Sequence, residues 1–159
     1  MGKYKVTKTK IMEGLIRVNP MTEMYIDIEG NHLEFYSYYF MSTTREEIEH
    51  YISDNYDKFI ELPKYKEIGF TNIANKFIDS LNIEELSEKY YAIDDRYNWI
   101  RIFHGLLSEY NVYRDFYKTY YLALKPILEE IIIKEKDKID VIDDMENKDD
   151  DTILDIVLR

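Results

Sequence analysis

Apolar residues recur every three or four positions along most of this chain, and near its start the period drops to two. Ile11, Leu15 and Val18 open a helical stripe that predicts a short helix over Thr7 to Val18. Asn19-Pro20 ends it, because the residue before proline is pushed out of helical backbone. From Met24 apolar and polar residues alternate. Tyr25, Ile26, Asp27 and Ile28 lead into Glu29-Gly30-Asn31, and Leu33, Glu34, Phe35 and Tyr36 resume on the far side. The pattern is that of a β-hairpin whose turn uses glycine and asparagine for positive φ.

Beyond the hairpin the periodicity reads as helix throughout. Ser42, Thr43 and Thr44 before Glu46 and Glu47 give an N-cap signature, and Tyr51 and Ile52 carry that helix to about Asp54-Asn55. Leu62-Pro63 reads as loop, and Gly69 to Asn72 opens a helix bearing Ile73, Phe77, Ile78 and Leu81. Asn82 with Glu85 predicts a capping box for a third, short helix holding Leu86 and Tyr90. The clearest stripe is Trp99, Ile102, Phe103, Leu106 and Tyr110. Asn111 interrupts it before Phe116, Tyr117, Tyr120, Tyr121 and Leu124. Pro126 lacks the amide that should bond to Leu122, so this long helix either kinks or restarts there before running to about Lys136.

From Asp137 to Asp151 acids dominate and aromatic residues vanish, leaving little apolar surface to offset the entropy of ordering. Ile153, Leu154, Ile156, Val157 and Leu158 then restore an apolar run that folds back on its own domain or meets a partner. The fold class these signals imply is α+β, predominantly α-helical, with an N-terminal short helix and β-hairpin packed on a helical body. Residues 1–135 are expected to form one globular domain, 136–151 an acidic flexible tail and 152–159 an apolar C-terminal segment.

The net charge of −11 sharpens this picture because it is uneven: Lys136 to Asp151 carries −5 of it on sixteen residues. Direct nucleic-acid binding is not expected, since each phosphate contact wants a Lys or Arg. No run approaches the 18 or so apolar residues of a membrane span. The start of the chain, with Lys3, Lys5, Lys8 and Lys10 and no apolar run behind them, is unlike a signal peptide, so a cytoplasmic location is expected. The absence of cysteine removes thiolate chemistry and Cys-based zinc sites.

Chemistry-bearing residues are sparse. Glu46 and His50 stand four apart on one helix face, but two ligands do not make a site, and neither metal nor cofactor is expected. His32 follows the hairpin turn. Asp94-Asp95 precedes the Trp99 helix, where acids favour the positive helix end, and Arg101 and His104 lie on that helix. Asp94, Arg101 and His104 are therefore the candidate catalytic set; capping for the acids and a buried structural role for the histidine are the competing explanations. Sixteen tyrosines are the unusual feature of composition, clustered at Tyr36, Tyr38 and Tyr39, at Tyr90 and Tyr91, and at Tyr113, Tyr117, Tyr120 and Tyr121. Tyrosine offers a large rigid area with a polar tip, so Tyr113, Tyr117 and Tyr120, with Ile153, Leu154 and Val157, are the candidate partner-binding residues.

The order of features resembles the bacterial family UPF0158. Lys10-Ile-Met-Glu13-Gly-Leu15 and Met24-Tyr-Ile-Asp27-Ile-Glu-Gly30 are similar to its opening helix, strand and turn. Tyr56-Asp-Lys-Phe59-Ile-Glu-Leu-Pro63 is similar to its short segment ending in proline. Asn75-Lys-Phe77-Ile-Asp-Ser-Leu with Ile83-Glu-Glu-Leu86 resembles its central helix pair, and Trp99-Ile-Arg101-Ile-Phe103 with Arg114-Asp-Phe116-Tyr117 its aromatic helices. The resemblance runs from about Lys8 to Glu135 and implies the order of elements, with no reaction attached. Function is expected to be that of a non-enzymatic protein-interaction or regulatory module with a protein partner. The alternatives are an acidic, nucleic-acid-mimicking inhibitor of a basic protein, or a small enzyme with its site near Asp94, Arg101 and His104.

Overall fold

A computed structural model describes residues 3–27, 32–36 and 42–159. It is 61% helix and 13% strand, a predominantly helical α+β fold. Strand β1 (Tyr4–Thr7) passes directly into α1 (Lys8–Leu15), where the Thr7 hydroxyl accepts from the Lys10 N–H at 3.1 Å and caps the helix. Strands β2 (Thr22–Asp27) and β3 (His32–Tyr36) pair antiparallel, with Met24 opposite Glu34, as the alternation predicts. The hairpin turn at Glu29-Gly30-Asn31, together with Tyr38 and Tyr39, lies outside the described residues.

Helix α2 (Ser42–Asp54) ends where the sequence indicates, with the Asn55 side chain donating to the Tyr51 carbonyl at 2.8 Å. A 3-10 turn over Tyr56–Lys58 then leads into strand β4 (Phe59–Glu61), which joins the free edge of β2 to give the order β3-β2-β4. The expectation of helix throughout this region is thus corrected. Three residues are too few to display a period, and Phe59 and Ile60 are buried by the strand they pair with rather than by a helical stripe.

Short helix α3 (Tyr65–Ile68) and α4 (Phe70–Leu81) meet at Gly69, whose φ of 83° is left-handed. Helix α5 (Glu84–Tyr91) follows. Asn82 does not open it: with φ 54° it closes α4, so the predicted capping box with Glu85 does not form. Helix α6 (Trp99–Glu109) stops at Asn111, φ 61°, where the Val112 N–H reaches back to the Leu107 carbonyl at 2.8 Å. The buried stripe of α6 is Phe103, Leu106 and Leu107, while Ile102 faces outward. Helix α7 (Tyr113–Lys134) runs on through Pro126, which is exposed.

Helix α7 is the centre of the molecule, touching α1, α4, α6 and α8. Phe70, Phe103, Phe116 and Tyr120 are fully buried around it, with Phe70 edge-on to each of the other three at ring separations of 5.2 to 6.3 Å. The Tyr120 hydroxyl donates to the Val18 carbonyl at 2.8 Å and so pins the end of the first helix to α7.

The largest correction concerns the C-terminal stretch. Residues 136–151, expected to be a flexible acidic tail, contain strand β5 (Ile139–Ile142), which pairs parallel with β1 in the register Tyr4 to Ile139 and Val6 to Val141. Helix α8 (Asp150–Val157) follows and buries Ile153, Leu154 and Val157 against α1 and α7. Its acids act as caps and ion-pair partners. Asp149 accepts from the Thr152 N–H at 2.8 Å, Asp144 from the Thr9 N–H at 2.9 Å, and Asp143 pairs with Lys8 at 3.1 Å. On α7, Lys118 pairs with Asp151 at 3.0 Å, Lys125 with Asp150 at 3.0 Å, and Arg114 with Asp155.

Candidate functional site

The six residues expected to meet a partner are mostly interior. Tyr117, Tyr120, Ile153, Leu154 and Val157 are all buried in the core, and Tyr113 is half-buried. The reason is mutual: α8 lays its apolar face on α1 and α7, and the tyrosines of α7 find acceptors inside. Tyr121 donates to Asp150 at 3.2 Å, and Tyr90 on α5 donates to the Asn75 side chain at 2.6 Å. Burial of Tyr117, Tyr120 and Tyr121 is tolerated because each of their hydroxyls has a partner, in His104, the Val18 carbonyl and Asp150.

Nor does the structure bring the candidate catalytic set together. Arg101 and Asp94 are exposed, and neither lines the pocket that contains His104. That pocket, about 310 Å³, lies between the α1–β2 connection, α6, the start of α7 and the end of α8; Arg17 and Asn19 are in its lining, and Tyr113 and Tyr117 pack on the imidazole. His104 shares a hydrogen bond between Nε2 and the Tyr117 hydroxyl, and burial pushes its pKa down to about 4. A base tuned that low is a poor proton acceptor at neutral pH, so the geometry fits a structural histidine. His50 is exposed on α2 and pairs with Asp54 at 3.3 Å. The side chain of His32 is not among those described.

A cleft of about 460 Å³ is built elsewhere, where the first turns of α4 and α6 and the last turn of α5 converge on the loop after α1. Half-buried Trp99 stacks on Phe103 at 5.0 Å and meets Tyr90 edge-on at 6.2 Å. Tyr91 packs perpendicular to Tyr90 at 4.9 Å, donates its hydroxyl to Asp79 at 2.8 Å, and stays largely exposed. Tyr65, Pro20 and Met21 complete the apolar wall, Met21 being fixed from the α6 side by the Ile100 N–H, 3.3 Å from its sulfur.

Two polar groups of this cleft, the Asn75 amide nitrogen and the Arg96 guanidinium, can only donate, while the Thr71 and tyrosine hydroxyls can also accept. Asn75 uses its side-chain oxygen on Tyr90, leaving the amide nitrogen without a partner among the described residues. Thr71 stands on the rim, and Arg96 is the one charged side chain of the lining, with no ion pair among the described residues. The α5–α6 loop that carries Arg96 is held by Asp95, whose carboxylate accepts from the Tyr97 N–H at 3.0 Å, the Asn98 N–H at 3.2 Å and the Asn98 side chain at 3.0 Å. The Asn98 side chain above all holds Asp95 below the usual carboxylate range. Sequence reasoning weighed the acids of Asp94-Asp95-Arg96 and passed over the arginine. The signal that could have found the cleft was the spacing of Tyr90, Tyr91, Arg96 and Trp99 across one helix–loop–helix.

What the fold and cleft define is a class: a helical α+β domain with an aromatic cleft bearing a single arginine in an otherwise acidic chain. Comparison with protein families, curated proteins and solved structures finds no match to it. Among the described residues, no helix is long and apolar enough to cross a membrane, and no group of three or more His, Asp or Glu side chains is placed to hold a metal ion.

Proposed function

We propose that the protein is a cytoplasmic, non-enzymatic binding module whose site is the cleft walled by Trp99, Tyr90, Tyr91 and Tyr65. The observation that supports this most is the combination of a volume of about 460 Å³ with a largely aromatic wall and a few polar groups converging on it. Ligand sites of roughly 300–1,000 Å³ have this make-up. The cleft contains no histidine and no carboxylate, so it offers selective contact without a proton-transfer pair. A regulatory role through a protein partner remains part of this reading, with the ligand as its input. Membership of UPF0158 belongs to the same proposal; it rests on the order of elements and adds no reaction.

The acidic-inhibitor alternative draws less support from the geometry. It needs rows of free carboxylates, whereas Asp143, Asp150, Asp151 and Asp155 are engaged by Lys8, Lys125, Lys118 and Arg114.

Trp99 is the chain's single tryptophan, so intrinsic fluorescence reports on the cleft directly. A library of small planar compounds, scored by Trp99 fluorescence and by thermal shift, is expected to yield ligands whose effect disappears in Thr71→Tyr, which crowds the rim. A library without a single Thr71-sensitive ligand would remove the binding-module reading.

A further inference from the structure

Resting on that reading of the cleft, we infer that its ligand is a planar aromatic carboxylate, with the ring against Trp99 and Tyr91 and the carboxylate on Arg96. Charge carries the argument. The chain holds 32 acidic residues against 21 Lys and Arg, yet the lining of this cleft contains one arginine and no acid. Arg96 has no ion pair among the described residues, a state it shares with other basic side chains such as Lys76 and Arg101, and it is the one of these that lines the cleft. In a surface this acidic, a guanidinium kept out of ion pairs at the mouth of an aromatic cleft is complementary to an anion supplied from outside.

Three features select the kind of anion. A guanidinium presents two parallel N–H donors that match the two oxygens of a carboxylate. A phosphate monoester carries close to two negative charges and would meet only one cation here, with Asp79, Asp94 and Asp95 nearby in the chain and on the neighbouring helix. The remaining polar groups, the Asn75 amide nitrogen and the Thr71 hydroxyl, can donate to a second acceptor on the ligand. Aromatic faces supply the other half of the recognition. Tyr91 is 55% exposed and is tethered through its hydroxyl to Asp79, so its ring is held in place without being covered.

Asp95 has a positioning role in this scheme. Its three accepted bonds fix the loop from Asp95 to Asn98 and therefore the backbone from which Arg96 reaches the cleft. Asp95→Ala is expected to weaken carboxylate binding while leaving a neutral ring's affinity in place, and Asp95→Asn, which retains an acceptor oxygen, to restore part of it.

The test is a set of matched probes titrated on the full chain at low salt: indole-3-carboxylate, its carboxamide, and adenosine monophosphate, all read by Trp99 fluorescence where absorbance allows and by calorimetry throughout. The carboxylate is expected to bind about tenfold or more tighter than the carboxamide, the scale of one charge-assisted bidentate contact. The advantage should vanish in Arg96→Gln, survive in part in Arg96→Lys, and shrink as salt is raised. Arg96 is exposed, so these variants are expected to fold, with circular dichroism and melting temperature as the check. Equal binding of carboxylate and carboxamide would overturn the anion inference and leave the cleft a binding site. Tighter binding of the nucleotide than of the carboxylate would overturn the choice of carboxylate over phosphate. If no planar probe binds and library screening is also blank, the cleft reading itself falls.

Discussion

Protonating His104 should cost the fold measurable stability in a pH window that no other resolved shift shares. The perturbation is acidification from pH 7 to 5. Burial lowers the His104 pKa from 6.5 to about 4, while Tyr113 and Tyr117 pack edge-on to the ring at 5.1 and 5.5 Å. The bond to the Tyr117 hydroxyl survives protonation, because an imidazolium can donate to the phenol oxygen, so the cost is that of placing a charge in partly desolvated surroundings. The unfolded chain takes up a proton near 6.5 and the folded chain only near 4. Stability is therefore full above about pH 6.5, falls as pH drops through the interval, and loses nothing further from this group below about 4. At about 1.4 kcal/mol for each tenfold difference in proton affinity, and with a discount for the ring's partial contact with water, the loss between pH 7 and 5 is about 1–2 kcal/mol. Urea unfolding of the wild type and of His104→Gln at pH 7, 6 and 5 measures it. The variant should show a flatter profile, and a nuclear magnetic resonance titration should place the ring's midpoint well below 6.5. Asp95, Asp143 and Asp149, all held below the ordinary carboxylate value, lose their contributions only at lower pH. Parallel profiles for the two proteins between pH 7 and 5 would show that the ring is not buried as described.

Other variants probe separate joints of the fold. Leu154, fully buried on α8, should cost about 3 kcal/mol when cut to alanine, read from the shift in urea midpoint at unchanged slope. Deleting residues 137–159 removes β5 and α8 together and uncovers α1 and α7, so the truncated chain is expected to lose cooperative melting; a sharp, wild-type transition would contradict the packing. Tyr120→Phe leaves the buried Val18 carbonyl without its donor and should cost about 1 kcal/mol by the same assay. Asn111 has left-handed backbone at the α6–α7 junction, so Asn111→Gly should be close to neutral while Asn111→Ala costs about 1 kcal/mol, and equal melting temperatures would argue against that conformation.

Much of the helical body was legible because its signals are local. The stripe of Ile73, Phe77 and Ile78 and the stop at Asn111 each lie within about two turns of chain, and the alternation from Met24 onward reported β2, although Met24, Tyr25 and Ile26 are all buried and the Ser42–Thr44 run read as an N-cap lies inside the first turn of α2. What the local pattern missed depended on partners far along the chain. Strand β4 is three residues long and is defined by pairing with β2, and Asn82 could close one helix as readily as open the next. Sequence patterning also placed the apolar face of α6 too near Ile102, since a stripe centred on Phe103 and Leu107 and one centred on Ile102 and Leu106 differ by a rotation that only packing against α7 decides. The candidate site was legible as residues and not as a place. Tyr90, Tyr91 and Trp99 were visible as aromatics, but their convergence with Arg96 and Asn75 required α4, α5 and α6 to be set side by side.

The acidic stretch shows most clearly why composition can mislead. Low apolar content and high charge predict disorder when each acid is counted as repulsion and each residue as an entropic cost. In the folded chain the same acids accept backbone and lysine donors, and Asp150 and Asp151 occupy the first turn of α8, where the helix dipole favours negative charge. Each exposed ion pair contributes at most about 1 kcal/mol, too little to hold the segment alone. Ile139, Ile153, Leu154 and Val157 supply the rest by burial, at about 1.5–3 kcal/mol for a fully covered aliphatic side chain. The charges therefore favour register and direction, with Asp140 reaching Lys3 across the β1–β5 ladder at 3.9 Å and Asp155 on Arg114, while four apolar residues provide the drive. Raising salt should then weaken the docking of α8 only modestly, whereas a single apolar-to-polar change such as Ile153→Asn should release it. Hydrogen exchange on the amides of α8 separates the two: strong deprotection by salt alone would mean that electrostatics, and not burial, holds the segment.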